Sequence, residues 1–301
     1  MAAAVPNGHT AGAGDDAPPP SSSSSSLVFL GTGCSSAVPN ARCLIQPPDP
    51  PCPVCSQSLS VPPELNPNYR CRPVSSFSSP PSRTSCGILL THEHADAILG
   101  LDDVRVVQPF SPTNDIDPTP IYLSQFAMDS ISQKFPYLVK KKLKEGEEVR
   151  RVAQLDWRII ESDLQKPFTT SGLEFVPLPV IHGEDYICLG FLFGRKSKVA
   201  YISDVSRFPP STEYAISKSG GGQLDLLILD CLYRTGSHNV HLCWDQTLDA
   251  VKRICPKRAL LIGLTHEMDH HKDNQTLEEW SRREGIDVQL ARDGLRVYID
   301  L

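Results

Sequence analysis

Four apolar runs in this chain each end on a histidine or an aspartate, which restricts it to folds that gather strand ends at one edge. Gly87-Ile88-Leu89-Leu90 leads into Thr91-His92-Glu93-His94-Ala95-Asp96, and Leu178-Pro179-Val180-Ile181 leads into His182. Val199 to Ser203 leads into Asp204, and Ala259 to Thr265 leads into His266. Short, continuous apolar runs read as buried strands. Open α/β architectures place their sites just beyond the carboxyl ends of such strands. A single polar strand end is ordinarily a satisfied buried residue. Four of them, all His or Asp, are not explained by packing.

The tightest group is His92, His94 and Asp96, three side chains within five residues. Alternate residues of an extended segment share a face, so a strand that breaks into a turn can aim these groups at one point. Imidazole nitrogen and carboxylate oxygen are the donors that suit a catalytic zinc or similar divalent ion.

With these residues in this order, the chain resembles the metallo-β-lactamase superfamily of binuclear metal hydrolases. Within it the chain is similar to the branch holding the cyclic-phosphate phosphodiesterase of phosphonate breakdown and, more distantly, RNase Z. The likeness runs from Leu27 to Leu301 and includes the Leu30-Gly31-Thr32-Gly33 opening. It implies a four-layer αββα sandwich. It also implies two Zn2+ or Mn2+ ions, the first held by His92, His94 and His182, the second by Asp96 and His266, with Asp204 bridging. A hydroxide held by the metals would attack the substrate. The leaving group needs a proton, for which His238 and His241 are the candidates, His241 being favoured because the helix it opens resembles the one after the acid/base histidine of the phosphodiesterase branch. Asp230, closing Leu226 to Leu229, is placed to orient a ligand histidine.

The chain departs from the family pattern at two places. The motif is usually His-x-His-x-Asp-His, and here the last position is Ala97; the second metal is left with Asp96, His266 and Asp204. Asp102 and Asp103 read as solvent-facing. Between the Gly-Thr-Gly turn and the histidine motif, Arg72 to Arg83 is dense in Pro and Ser, a composition that does not make central strands. The N-terminal sheet is therefore expected to be incomplete, as in a shortened isoform.

Cysteine usage supports a further site. Cys52-Pro53-Val54-Cys55 is a Cys-x2-Cys knuckle in a Pro-rich loop, with Cys43 shortly before it. In a reducing compartment such cysteines read as metal ligands or buried residues rather than disulfides. By resemblance the knuckle joins a late histidine in a structural zinc site, here expected as Cys43, Cys52, Cys55 and His270. Cys188 and Cys231, in strand-like runs, read as small core residues.

Residues 1–26, mostly Ala, Gly, Pro and Ser, read as a low-complexity tail unable to bury a core. Residues 27–301 form the hydrolase domain, with a long Cys/Pro/Ser-rich loop over 43–85. Strands are expected over Leu27–Leu30, Leu155–Glu161, Leu173–Ile181, Tyr186–Phe193, Val199–Ser203, Leu224–Leu229 and Ala259–Leu264. Helical patterns cover Ala95–Val107, His241–Ile254 and Thr276–Glu284, the last capped by Asn274. Asp287–Leu290 and Leu295–Ile299 flank Arg292-Asp293-Gly294 and read as a hairpin.

The net charge of −6 argues against a protein that coats nucleic acid, and Lys140 to Lys144 with Arg150 and Arg151 reads as a solvated face. No apolar stretch reaches membrane-span length, and the location expected is the cytoplasm, with the nucleus as the alternative. The function expected is hydrolysis of a small or cyclic phosphodiester. A tRNA-processing nuclease, a thioester or lactone hydrolase, and an inactive metal-binding isoform are the alternatives. A homodimer is compatible with all of them.

Overall fold

A computed structural model describes residues 25–72, 74–78, 87–139 and 151–301, with 74–78 described as backbone. In chain order the elements are β1 (Ser25–Gly31), α1 (Ala41–Ile45), α2 (Pro53–Ser60), β2 (Val74–Ser78), β3 (Ile88–Leu89), α3 (Ala95–Ile98) and α4 (Val104–Val107). There follow β4 (Thr119–Leu123), α5 (Gln125–Lys134), α6 (Pro136–Val139), β5 (Leu155–Ile159), β6 (Phe168–Thr170), β7 (Leu173–Ile181), β8 (Ile187–Phe193) and β9 (Val199–Ile202). The chain closes with α7 (Pro210–Ile216), β10 (Leu226–Asp230), α8 (Trp244–Ile254), β11 (Arg258–Ile262), α9 (His270–Glu284), β12 (Asp287–Leu290) and β13 (Arg296–Ile299).

Side-chain alternation along the apolar strands decides the layers. Leu227, Leu229, Ala259 and Leu261 face one core with Trp244, Val251 and Ile254 of α8, Ile216 of α7 and Leu277 of α9. Their neighbours Leu226, Ile228, Leu260 and Ile262 face a second core with Leu27 and Phe29 of β1 and Val297 of β13. A period of two with both faces buried is what continuous apolar strands predict. A third core packs Ile121 and Leu123 of β4 against Ile98, Ala127 and Ile131. The layers are helix, sheet, sheet, helix, the expected αββα sandwich.

The large sheet has order β12-β11-β10-β9-β8-β7-β6, with β9 to β12 parallel. β7 and β9 each run antiparallel to β8, so they point the same way. The carboxyl ends of β7, β9, β10 and β11 therefore share one edge. Facing this sheet, the described strands form two separate three-stranded sheets, β13-β1-β2 and β3-β4-β5. That division fits the expected incomplete N-terminal layer.

Several expectations are corrected. The Pro/Ser-rich stretch contains a strand, β2, whose backbone pairs with β1 at the sheet edge. An edge strand needs ladder partners on one side only, so Ser-rich sequence is tolerated there where a central strand would not be. Residue 73 and residues 79–83 of that stretch lie outside the described residues, as do residues 1–24 of the tail and residues 140–150 of the basic segment. β1 begins at Ser25, which pairs with Ile299, two residues before the boundary expected at 27. The 43–85 loop carries helices α1 and α2. Ala95–Val107 is two short helices rather than one. β12 and β13 are not a hairpin, since β12 pairs with β11 and β13 with β1. The turn between them instead presents Asp293, which accepts from Thr32 N and Oγ1 at 2.8 Å and from Cys71 N at 2.6 Å. This carboxylate ties the first strand to the loop beneath the sheet.

Candidate metal centre

Histidines and acids at the shared strand edge converge. His92 and His94 follow β3, His182 follows β7, and one donor atom from each lies within 4.8 Å of the others. The ring centroids are 4.5 Å apart for His92–His94, 5.4 Å for His92–His182 and 5.1 Å for His94–His182. Asp204, just past β9, joins two overlapping groups, one with His92 and Cys188 and one with His182 and His241.

Hydrogen bonds fix which ring nitrogens point inward. His182 Nδ1 donates to Val240 O at 2.6 Å, which leaves Nε2 as the lone-pair nitrogen. His241 Nδ1 donates to Asp230 Oδ2 at 2.7 Å in the same manner. His92 Nδ1 is engaged by Thr91 Oγ1 at 2.8 Å. His92 Nε2 is buried and has no hydrogen-bond partner. Asp204 Oδ1 lies 3.9 Å from it, too far for a hydrogen bond but suited to sharing a cation. An orphaned buried nitrogen is costly in a dry protein, and a metal would satisfy it. This donor set fits a divalent ion.

Burial lowers the pKa of His92, and it pulls His182 down to about 4 against the attraction of Asp204. Both shifts favour the neutral imidazole that metal ligation demands. His241 moves the other way. Burial opposes its charge, but the Asp230 hydrogen bond and the nearby Asp204 and Asp96 carboxylates override that and raise its pKa. Asp230 is fully buried, and burial pushes its carboxyl up to about 7 although His241 draws it down. Val205 N donates to it at 3.3 Å. Gly263 follows β11 at φ +77°, and a Cβ there would sit 2.7 Å from Asp230 Oδ1. Only glycine leaves the carboxylate its room.

His266 is elsewhere. Its Nδ1 lies 3.5 Å from Cys43 Sγ, 3.5 Å from Cys52 Sγ and 3.6 Å from Cys55 Sγ. Four tetrahedral zinc ligands with Zn–S about 2.3 Å and Zn–N about 2.05 Å would be separated by about 3.6 Å from S to N. The distances match a closed, four-donor arrangement, and they correct two expectations. His266 faces the knuckle rather than the Asp96–Asp204 side, and His270 does not join the thiols. Arg70, fully buried, explains the first. Its Nη1 donates to Thr265 O at 2.9 Å and Met268 O at 3.0 Å, clamping the turn that carries His266. His270 opens α9, where its Nε2 accepts from Asn274 at 3.1 Å. Asn274 lies inside that helix, whose cap is Asp269. Burial pushes the Cys55 thiol up to about 12, aided by its sister thiols; a cation would reverse that balance.

Asp96 lies in α3, close enough to His241 to raise its pKa, and among the described residues it joins no donor group. Ala97 packs against the third core. At the mouth, the Tyr186 ring stacks on His94 at 5.0 Å and meets Phe126 edge-on at 5.9 Å. The Tyr186 hydroxyl donates to Glu93, and Lys134 Nζ to Glu93 O at 3.0 Å. His238 is half-buried with its ring 5.4 Å from that of His241. Tyr186, Glu93 and Phe126 escaped the sequence reading, although Glu93, inside the motif, was open to notice.

A family model described as a beta-lactamase superfamily domain matches residues 68–264. Among solved structures, a diphosphatase from the PhnP family is 25% identical with a TM-score of 0.70, covering 92% of this chain and 98% of its own. The short form of human tRNase Z shares the fold at 14% identity and TM-score 0.55, covering 92% of this chain and all (100%) of its own. An octanoyltransferase of Porphyromonas gingivalis is 25% identical over 213 residues, which is 70% of this chain but only 39% of that protein's length.

Proposed function

This chain belongs to the beta-lactamase superfamily, and from that premise we propose a metal-dependent phosphodiesterase acting on a small phosphate ester. One observation carries the reading: His92, His94 and His182 bring donor atoms together beside Asp204, and one of them, His92 Nε2, is buried without any other partner. The diphosphatase likeness, at 25% identity over nearly the whole of both chains, favours phosphoester over carbonyl chemistry. The acidic charge, with no long substrate-binding arm recognisable among the described residues, favours a small substrate over tRNA.

In this proposal His92, His94 and His182 hold the first divalent ion with Asp204. A second ion, if bound, has Asp204 and His241 with Asp96 nearby, in place of the His266 expected from the sequence. Such ions supply Lewis-acid polarisation of a phosphoryl oxygen and acidify bound water. The protein does the rest. Val240 O and Asp230 hold the protons of His182 and His241 on Nδ1, so that Nε2 faces the cluster. His241, its pKa raised beside Asp230 and its Nε2 toward the cluster, protonates the leaving oxygen where that nitrogen is not on a metal. With that nitrogen on a metal, the role falls to His238 beside it. Tyr186, held by Glu93, lays an apolar wall along His94 that keeps water from one side of the mouth and meets the ester's organic group.

The test is hydrolysis of bis(p-nitrophenyl) phosphate by the full chain, with His92→Ala and Asp204→Ala as controls and thioester, lactone and precursor tRNA as competing substrates. Metal-dependent diester turnover lost in both variants is expected. A folded, metal-loaded protein inert toward the diester, or one faster on a competing substrate, would contradict the reading.

A further inference from the structure

Cys188 reads from the sequence as a small core residue, yet its thiol stands against the metal cluster. It lies on β8, fully buried, opposite Val180 of β7 and two residues from the level of His182. Its Sγ is 3.7 Å from Thr91 O, the carbonyl immediately before His92. A donor atom of His92, Cys188 Sγ and a carboxylate oxygen of Asp204 lie within 4.8 Å of one another. The His92 side chain is 3% exposed and its Nε2 has no hydrogen-bond partner. Cys231 is an internal contrast. It is equally buried, one residue past the end of β10, but among the described residues it joins no donor group.

We propose that Cys188 is a sulfur donor to the active-site metal, closing the buried side of the site between His92 and Asp204 and biasing it toward zinc over manganese. Soft thiolate selects zinc, whereas carboxylate and water suit manganese and magnesium. On binding, the S–H proton leaves to solvent as the sulfur–metal bond forms, with no change of oxidation state. The 3.9 Å between His92 Nε2 and Asp204 Oδ1 exceeds the roughly 3.4 Å that donors about 2.05 and 2.1 Å from a tetrahedral zinc would keep, so the ion draws the donors together. The inference rests on the His92–His94–His182–Asp204 set holding a metal, not on which ester is hydrolysed.

Cobalt reconstitution of the full chain tests it through thiolate-to-cobalt absorption. The knuckle contributes three thiolates in every variant and Cys188 a fourth, so the band per chain falls by about a quarter in Cys188→Ala and is unchanged in Cys231→Ala. An undiminished band in a folded Cys188→Ala protein overturns the proposal. Should that variant not fold, zinc X-ray absorption on the unmodified protein decides. Mean sulfur ligands per zinc, multiplied by zinc per chain, gives about four bonds if Cys188 binds and about three if it does not. A lost quarter without diester turnover leaves this assignment standing and removes the hydrolase reading. Turnover with an intact band does the reverse.

Discussion

Gly263 and Asp230 show how a residue without a ligand role can govern the site. The glycine leaves space for a fully buried carboxylate, and the carboxylate fixes the His241 ring. Asp230→Asn keeps the shape but weakens that hold, and loss of such supporting partners ordinarily costs about 10- to 100-fold in metal affinity or activity. Gly263→Ala, which places a methyl 2.7 Å from Asp230 Oδ1 at φ +77°, is expected to cost at least as much. Kinetics and metal titration of both variants check this. His270 yields a prediction about pH. Burial pushes its pKa from 6.5 down to about 3, so the unfolded chain takes up a proton that the native protein refuses. Stability from this residue is therefore complete above about pH 6.5 and is lost as pH falls toward about 3. His270→Gln should lose less Tm than the parent over that interval. An equal loss in both would show that other groups control acid denaturation.

At the scale of elements, the Cys43–Cys52–Cys55–His266 group joins α1 and α2 to the turn after β11, a junction that no strand pairing provides among the described residues. Cys55→Ser is expected to release one metal ion per chain and lower Tm, while the His92 site keeps its own ion. Metal analysis beside thermal melts measures both. The same elements show what local sequence can convey. β10 and β11 were legible because both faces are buried and their sequences are unbroken apolar runs. β2 was hidden by serines that an edge strand tolerates. The turn at Asp293-Gly294 was recognised as a turn, but pairing is non-local, and the flanking strands belong to different sheets. Short β4 carries Pro120, and α5 is mostly polar outside Ala127 and Ile131, so neither announced itself. His266 was misplaced for a related reason. Its position past a strand suits either metal site, and the choice is made by Arg70, remote in sequence, gripping the turn. The clustered histidines after β3 and β7 were legible because each follows an apolar run directly.

Over the whole molecule, one seven-stranded sheet gives the site a rigid edge, while the described strands of the opposing layer form two three-stranded sheets. Among the described residues no helix is long and apolar enough to cross a membrane. The His92–His94 motif stands on β3, only two residues long, which is steadied by β4 and by Leu189 N donating to Thr91 O at 2.9 Å. Hydrogen exchange should therefore find the β3–β5 layer opening at lower free energy than β9–β11, since fewer buried ladders hold it; equal protection would show that the divided layer costs nothing locally. Whether the strand ends hold metal is the claim on which everything functional depends. Anomalous diffraction at the zinc edge, from crystals of the full chain grown with zinc, tests it directly. One peak is expected among Cys43, Cys52, Cys55 and His266, and a second among His92, His94, His182 and Asp204. A peak at the knuckle with none at the histidine cluster would contradict it.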